Sequence, residues 1–193
     1  MSNCSGTTAA TPRRVTPVKA REGRHMMRPC TDADIPTIVA IVNEAAQAYR
    51  GVIPLDCWHE PYMSRAELMA EIAAGVSFCC SERSDELVGV MGLQRVRDVT
   101  LIRHAYVRPE HQGRGVGGAL LTALRGQTMG PVLVGTWAAA GWAIRFYERH
   151  DFQLVPADEK DQLLETYWNI PPRQRDASVV LTHGKRVASR PTR

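Results

Sequence analysis

Apolar positions recur along most of this 193-residue chain, and their period changes several times. Residues 26–30 read as a short strand. Thr31 or Asp32 then caps a helix whose apolar side chains Ile35, Ile38, Val39, Val42, Ala46 and Tyr49 repeat at helical spacing, with Pro36 tolerated in the first turn. Gly51 and Pro54 end that helix and open a loop holding Trp58, His59, Glu60, Tyr62 and Met63. The run SRAE at 64–67 is a capping box that starts a second helix reaching about residue 74. Three β-type runs follow at 76–80, 87–96 and 100–107, and the turns between them predict an antiparallel meander. After a cluster of glycines, Val116, Ala119, Leu120, Ala123 and Leu124 share one helical face, and that helix ends near Arg125. A buried strand at 132–137, a helix at 141–149 and strands at 152–155 and 178–181 complete the pattern.

Composition adds limits. An apolar content of 44% suffices for one compact core. The longest uncharged run, 126–144, is interrupted by Gln127, Thr128, Pro131 and glycines, so it does not read as a membrane span, and the N-terminus has no apolar signal core. A cytoplasmic protein is expected. The net charge of +4 is unevenly placed: residues 1–29 carry +5, residues 182–193 carry +4, and the body between them carries −5. An acidic body disfavours a nucleic-acid groove. The expected organisation is therefore a disordered basic arm at 1–25, one domain at 26–182, and a disordered basic tail at 183–193. A transit peptide is the lesser reading of the first arm, because Pro12 and Pro17 interrupt any amphipathic helix. Five scattered cysteines (Cys4, Cys30, Cys57, Cys79, Cys80) read as reduced, small apolar residues, with Cys79 and Cys80 on opposite faces of a strand. The histidines show no paired metal spacing, and no metal is expected.

The chemistry is concentrated in VRPEHQGRGVGGALL, residues 107–121, where a strand feeds a glycine loop and then a helix. Glycine permits a tight turn and close backbone approach, and a helix N-terminus offers unpaired N–H groups to a phosphate. A P-loop would need Lys and then Ser or Thr after its last glycine; Ala119 and Leu120 stand there. Gly113, Gly115 and Gly118 match the dinucleotide fingerprint literally, but the segment RPEHQ parts them from the strand and no acid occurs between Arg125 and Tyr147. The third pattern is Gln112-x-x-Gly115-x-Gly117 after V-x-P, followed downstream by AIRFYERHDF at 143–152. Together these motifs resemble the GNAT superfamily of acyl-CoA-dependent N-acyltransferases, and the resemblance extends over residues 27–181. It implies an α/β fold with a mixed, mostly antiparallel sheet splayed between its fourth and fifth strands and flanked by about four helices. It also implies acetyl-CoA as co-substrate, no metal, and acetyl transfer to a primary amine of a small-molecule or amino-acid-like acceptor by direct attack on the thioester. A protein or aminoacyl-tRNA amine is the alternative acceptor, and a CoA-binding sensor without turnover is the alternative class. Homodimers are frequent in the family.

The resemblance also assigns residues. The backbone of Gln112, Gly113, Arg114, Gly115, Val116, Gly117 and Gly118 would wrap the CoA pyrophosphate, with Tyr106, Val107 and Phe146 along the arm. The N–H of Val107 would face the thioester carbonyl, and Tyr147 would be the general acid at the sulfur, since an ordinary tyrosine is protonated at neutral pH. Many relatives carry a base on the fourth strand, six residues before the position of Val107; here that residue is Leu101. Strand alternation puts Leu101, Arg103 and Ala105 on the face of Val107 and His104 on the other, unless a β-bulge reverses the parity and makes His104 the base. His59, Glu60 or a water chain are the other options. The acceptor would meet Tyr49, Arg50, Trp58, Tyr62 and Met63, with Arg50 or Arg103 pairing a carboxylate or phosphate, although the same aromatics suit plain packing equally well. Two residues depart from the family pattern: Asp151 replaces a usual Gly, and Ala140 stands where an Asn often sits.

Overall fold

The computed structural model describes residues 25–184, so the basic arms expected from the sequence lie outside the described residues, and Cys4 with them, except for residue 25 and residues 183–184, of which His183 ends a strand. The chain runs β1 (Met26–Pro29), α1 (Ile35–Ala46), α2 (Arg65–Ala73), β2 (Ser77–Arg83), β3 (Glu86–Val96), β4 (Val99–Val107), α3 (Val116–Arg125), β5 (Val132–Trp137), α4 (Gly141–Glu148), β6 (Gln153–Leu154), α5 (Ala157–Tyr167), α6 (Pro172–Asp176) and β7 (Ser178–His183). One sheet takes the order β1-β2-β3-β4-β5-β7-β6, antiparallel except for the parallel pair β4–β5.

Helices cover both faces. Val116, Leu120 and Leu124 of α3 and Tyr147 of α4 bury one face with Met91, Ile102 and Val134. On the other face α1 and α2 pack Ile38, Ile41, Val42 and Leu68 against Phe78, Cys80 and Val90. Further along the same face Leu163, Leu164 and Tyr167 of α5 cover Leu101, Leu133 and Val180. Cys79 and Cys80 belong to opposite faces, as alternation requires. The capping box forms: Glu67 N–H donates to Ser64 Oγ at 3.2 Å and Ser64 N–H to the Glu67 carboxylate at 2.7 Å.

Two expectations change. Among the described residues the α-helices number six rather than about four, because 157–167 and 172–176 are helical where the sequence suggested nothing. The first of these opens with the polar run ADEKDQ and offers a face of only Leu163, Leu164 and Tyr167, too sparse to register as a period. The second change concerns β4, whose alternation is broken near its middle.

The pair β4–β5 positions the site. It is joined over three residues only, Thr100↔Val132, Leu101↔Leu133 and Ile102↔Val134. Beyond them β4 continues to Val107 and β5 to Trp137 without pairing to each other, so the sheet opens at the carboxyl ends of its parallel strands. That is where open α/β sheets place their ligands.

Candidate active site

The glycine loop begins where β4 ends. Arg108 Nε donates to the carbonyl of Leu87 at 3.0 Å and its guanidinium pairs with Glu44 of α1, which fixes the strand end. After one 3-10 turn at Pro109–His111, Gln112 Nε2 donates back to the carbonyl of Val107 at 3.0 Å. Gly113 and Gly115 hold φ of +71° and +83°, conformations L side chains rarely adopt, with open space around both. Gly115 is the N-cap of α3, and the first helical bond is Ala119 N–H to its carbonyl at 3.0 Å. The N–H groups of Val116, Gly117 and Gly118 therefore stand at the positive end of the helix with no role inside it. The remaining glycines do something else. A Cβ at Gly117 would come within 3.3 Å of the Phe146 ring, and one at Gly118 within 2.8 Å of His150 Nε2, so these two let α3 approach α4.

The loop and the opened strands border a cleft of about 470 Å³. Of the residues the sequence assigned to the cofactor, all but one line it: Arg114 points into solvent. Arg149 and His150, at the end of α4, line it instead and were missed, although a basic pair closing the second motif was a visible signal for a phosphate partner.

Val107 lies opposite Gly89, and the neighbouring Arg108 N–H donates to Val88 O at 2.9 Å. Bonded and unbonded pairs alternate in an antiparallel ladder, so Val107 belongs to an unbonded pair and its N–H is directed away from β3 toward the opening. His104 and Ala105 together oppose the single residue Met91, since the register runs Gly92↔Arg103 and then Val90↔Tyr106. This is a β-bulge, and His104 occupies it with φ +49°. The simple alternation therefore fails: Ala105 and Val107 pack with Ile102 against α3 and α4, while Tyr106 packs on the α1 face. His104 stacks on Phe78 at 5.9 Å and lines the opening between strands. Its Nε2 is 3.3 Å from Glu71 Oε2. The bulge had a signal in Gly92, since an isolated strand glycine marks close backbone approach, and a Cβ there would meet Arg103 O at 3.0 Å.

Tyr147 is 5% exposed, edge-on to Phe146 and Phe152, and borders the cleft. Burial, with Tyr49 nearby, pushes its hydroxyl well above the ordinary tyrosine value, so the proton stays on at neutral pH. The same cause raises Tyr49, Tyr62 and Tyr106. A second cavity of about 260 Å³ lies on the α5 side of the sheet. Tyr49, His104, Tyr106, Gly135 and Thr136 border both cavities, so the two meet through the opening between β4 and β5.

The other sequence candidates are distributed unevenly. Tyr49, Tyr62, Met63 and His59 border the second cavity. Trp58 packs against Tyr62 at 5.5 Å and lines neither cavity. Arg50 and Glu60 pair with each other at 3.4 Å, both more than half exposed and away from both cavities. Arg103 reaches the second cavity, but its guanidinium is bound by both Glu71 oxygens at 2.8 and 2.9 Å and by Gln94 Oε1 at 2.8 Å. Arg103 and His104 together hold the Glu71 carboxyl below its ordinary value. Leu101 is fully buried under α5. Ala140 is fully buried beside Ile53 and Trp137, a packing residue with no polar atom for a ligand. Asp151 keeps the turn a glycine would make, with φ +66°. The four described cysteines are free thiols, and Cys30, Cys80 and Asp34 place their ligand atoms within 4.8 Å of one another far from the opening.

Residues 74–154 match the model of the acetyltransferase (GNAT) domain family. No curated protein matches the chain in sequence. Among solved structures, the fold is similar to the PaiA N-acetyltransferase of Thermoplasma acidophilum in complex with coenzyme A, at 15% identity and a TM-score of 0.62, covering 82% of this chain and 98% of that one. An acetyltransferase from Streptococcus agalactiae is similar at 17% identity and a TM-score of 0.62, covering 82% of this chain and 96% of its own. A ribosomal-protein-alanine N-acetyltransferase from Brucella melitensis is similar at 18% identity and a TM-score of 0.57, covering 82% and 98%.

Proposed function

We propose that the chain, whose residues 74–154 match the acetyltransferase (GNAT) domain model, is a member of that family and transfers an acetyl group from acetyl-CoA to a primary amine of a small-molecule acceptor. The observation that carries the reading is the left-handed Gly113–Gly115 turn delivering unspent N–H groups of α3 beside an opened parallel strand pair. Such a terminus favours the pyrophosphate of CoA. Arg149 adds a cationic donor at the same cleft.

Bound acetyl-CoA supplies the activated thioester; the protein supplies the geometry and the protons. The N–H of Val107, aimed into the opening, donates to the carbonyl oxygen as negative charge develops on it. His104, bordering both cavities, accepts the proton of the attacking amine, and the Glu71 carboxylate 3.3 Å away gives the imidazolium a counter-charge. As the C–N bond forms and the C–S bond breaks, Tyr147 donates its proton to the departing sulfur. The amine enters from the second cavity, which Tyr49 and Tyr62 border. No described helix is long and apolar enough to cross a membrane.

Thermal unfolding with acetyl-CoA, CoA and NAD, on the native chain and on Gly115→Glu, tests the cradle. At about a hundredfold excess over Kd, acetyl-CoA should add about 2.7 kcal/mol, or ~5–10 °C for a domain of this size. The variant should lose the shift. A response to NAD alone would sink the reading.

A further inference from the structure

We propose that the acceptor is a small aromatic primary amine carrying no carboxylate or phosphate, held in the cavity on the α5 side of the opened sheet. The inference rests on the acetyltransferase reading above and narrows its acceptor.

The cavity's walls are aromatic. Tyr49, Tyr62, Tyr106, Trp137 and Trp168 face it from four different segments, and Gly135 leaves room for the Trp168 indole, whose atoms lie 3.4–3.5 Å from where a Cβ would be. At about 260 Å³ the space is slightly below the usual range for ligand sites, about 300–1,000 Å³, which suits one ring and a short arm. Ring faces and edges reward an aromatic guest beyond the area it buries.

Several polar groups of the wall are engaged with their neighbours, whereas the buried His104 Nε2 makes no hydrogen bond and faces only Glu71. Trp137 Nε1 donates to Tyr62 Oη at 3.0 Å. Ser178 Oγ donates to the carbonyl of Gln174 at 2.7 Å, and His59 Nδ1 is 2.7 Å from the carbonyl of Pro61. Arg103 borders the space, with Nη2 donating to both Glu71 oxygens and Nη1 to Gln94. Its charge is already balanced by the Glu71 carboxylate, which weakens its attraction for a second anion. An amino acid bound here would bury its carboxylate against tyrosine rings without a counter-ion, which is strongly unfavourable. A polyamine would meet the reverse difficulty, because the one carboxylate nearby, Glu71, is already paired.

Phenylethylamine and phenylalanine share ring and amine and differ by the carboxylate, so they isolate the claim. Two readouts apply: calorimetric binding of each amine to the CoA-loaded protein, and thiol release from acetyl-CoA. Phenylethylamine should exceed phenylalanine, butylamine and spermidine at least tenfold in both association constant and kcat/KM. Equal or better binding and turnover of phenylalanine or spermidine would overturn the proposal while leaving the acetyltransferase reading intact. Failure of acetyl-CoA itself to stabilise the protein would instead remove the parent reading. Glu71→Gln releases Arg103, and because Glu71 also stands beside His104 the variant is judged on a ratio. The preference for phenylethylamine over phenylalanine should narrow severalfold in it; an unchanged ratio would overturn the role given to the paired guanidinium.

Discussion

His104 sits in the left-handed region at φ +49°, where a side chain bearing a Cβ costs about 1–2 kcal/mol. Strain of this kind persists where the surroundings over-determine it, and it concentrates at working sites. Glycine at this position would relieve the strain and remove the imidazole together. His104→Gly is therefore expected to keep or raise the melting temperature while lowering kcat about 10²–10⁴-fold, with acetyl-CoA affinity retained. A stable variant with native turnover would exclude His104 as the base. Tyr147→Phe separates proton donation from packing, since the ring still fits between Phe146 and Phe152. It should slow turnover by a comparable factor at unchanged CoA affinity, and a chain that binds CoA without turning it over would be indifferent to it. Tyr147 was legible from its motif. His104 was legible only as an alternative, because a bulge changes facing without changing composition.

Elements that obey a period were readable and those that depend on one special residue were not. The strands and the glycine helix emerged within a few residues of their bounds because their apolar faces are dense. Helix α5 was hidden by its polar opening, and what makes it a helix is the tertiary cover it gives Leu101 and Leu133. The bulge depends on Gly92, where a Cβ would lie 2.8 Å from Val76 Cγ1 and 3.0 Å from Arg103 O. Gly92→Ala should cost about 1–3 kcal/mol by overpacking and should lower turnover by moving His104. Denaturant titration checks the first and thiol release the second; a native midpoint would show that the strands yield freely. At the end of α4 the opposite change applies. Asp151 holds φ +66° without need of a side chain, so Asp151→Gly should stabilise by about 1 kcal/mol, about 2–4 °C in Tm.

For the molecule as a whole, charge clusters tie the helical layer over β1–β4 to the sheet. Arg28 on β1 donates to Asp34 at 2.8 and 3.0 Å, just before α1, and to Glu82 of β2 at 2.8 Å. Arg103 of β4 grips Glu71 of α2. None of these pairs was visible in the sequence, since Arg28 and Asp34 meet across a turn between elements, the others join residues far apart in the chain, and no period signals them. Their consequence is a pH dependence with a definite sign. Arg28 holds the Asp34 carboxyl well below its ordinary 3.8, and His104 and Arg103 hold that of Glu71 below its ordinary 4.5. A depressed folded value means the unfolded chain takes up protons first as pH falls. The stabilisation is thus complete above about pH 5 and is lost progressively as pH drops through and below the ordinary values. Urea midpoints should fall slightly from about pH 7 to pH 5, where burial and Arg125 keep His183 below its ordinary value, and decline steeply toward pH 3. Arg28→Met leaves Asp34 nearer its ordinary value, so the variant should start less stable at neutral pH and lose less on acidification. Parallel midpoint curves for variant and native chain would mean that the Arg28 cluster contributes nothing to the acid response.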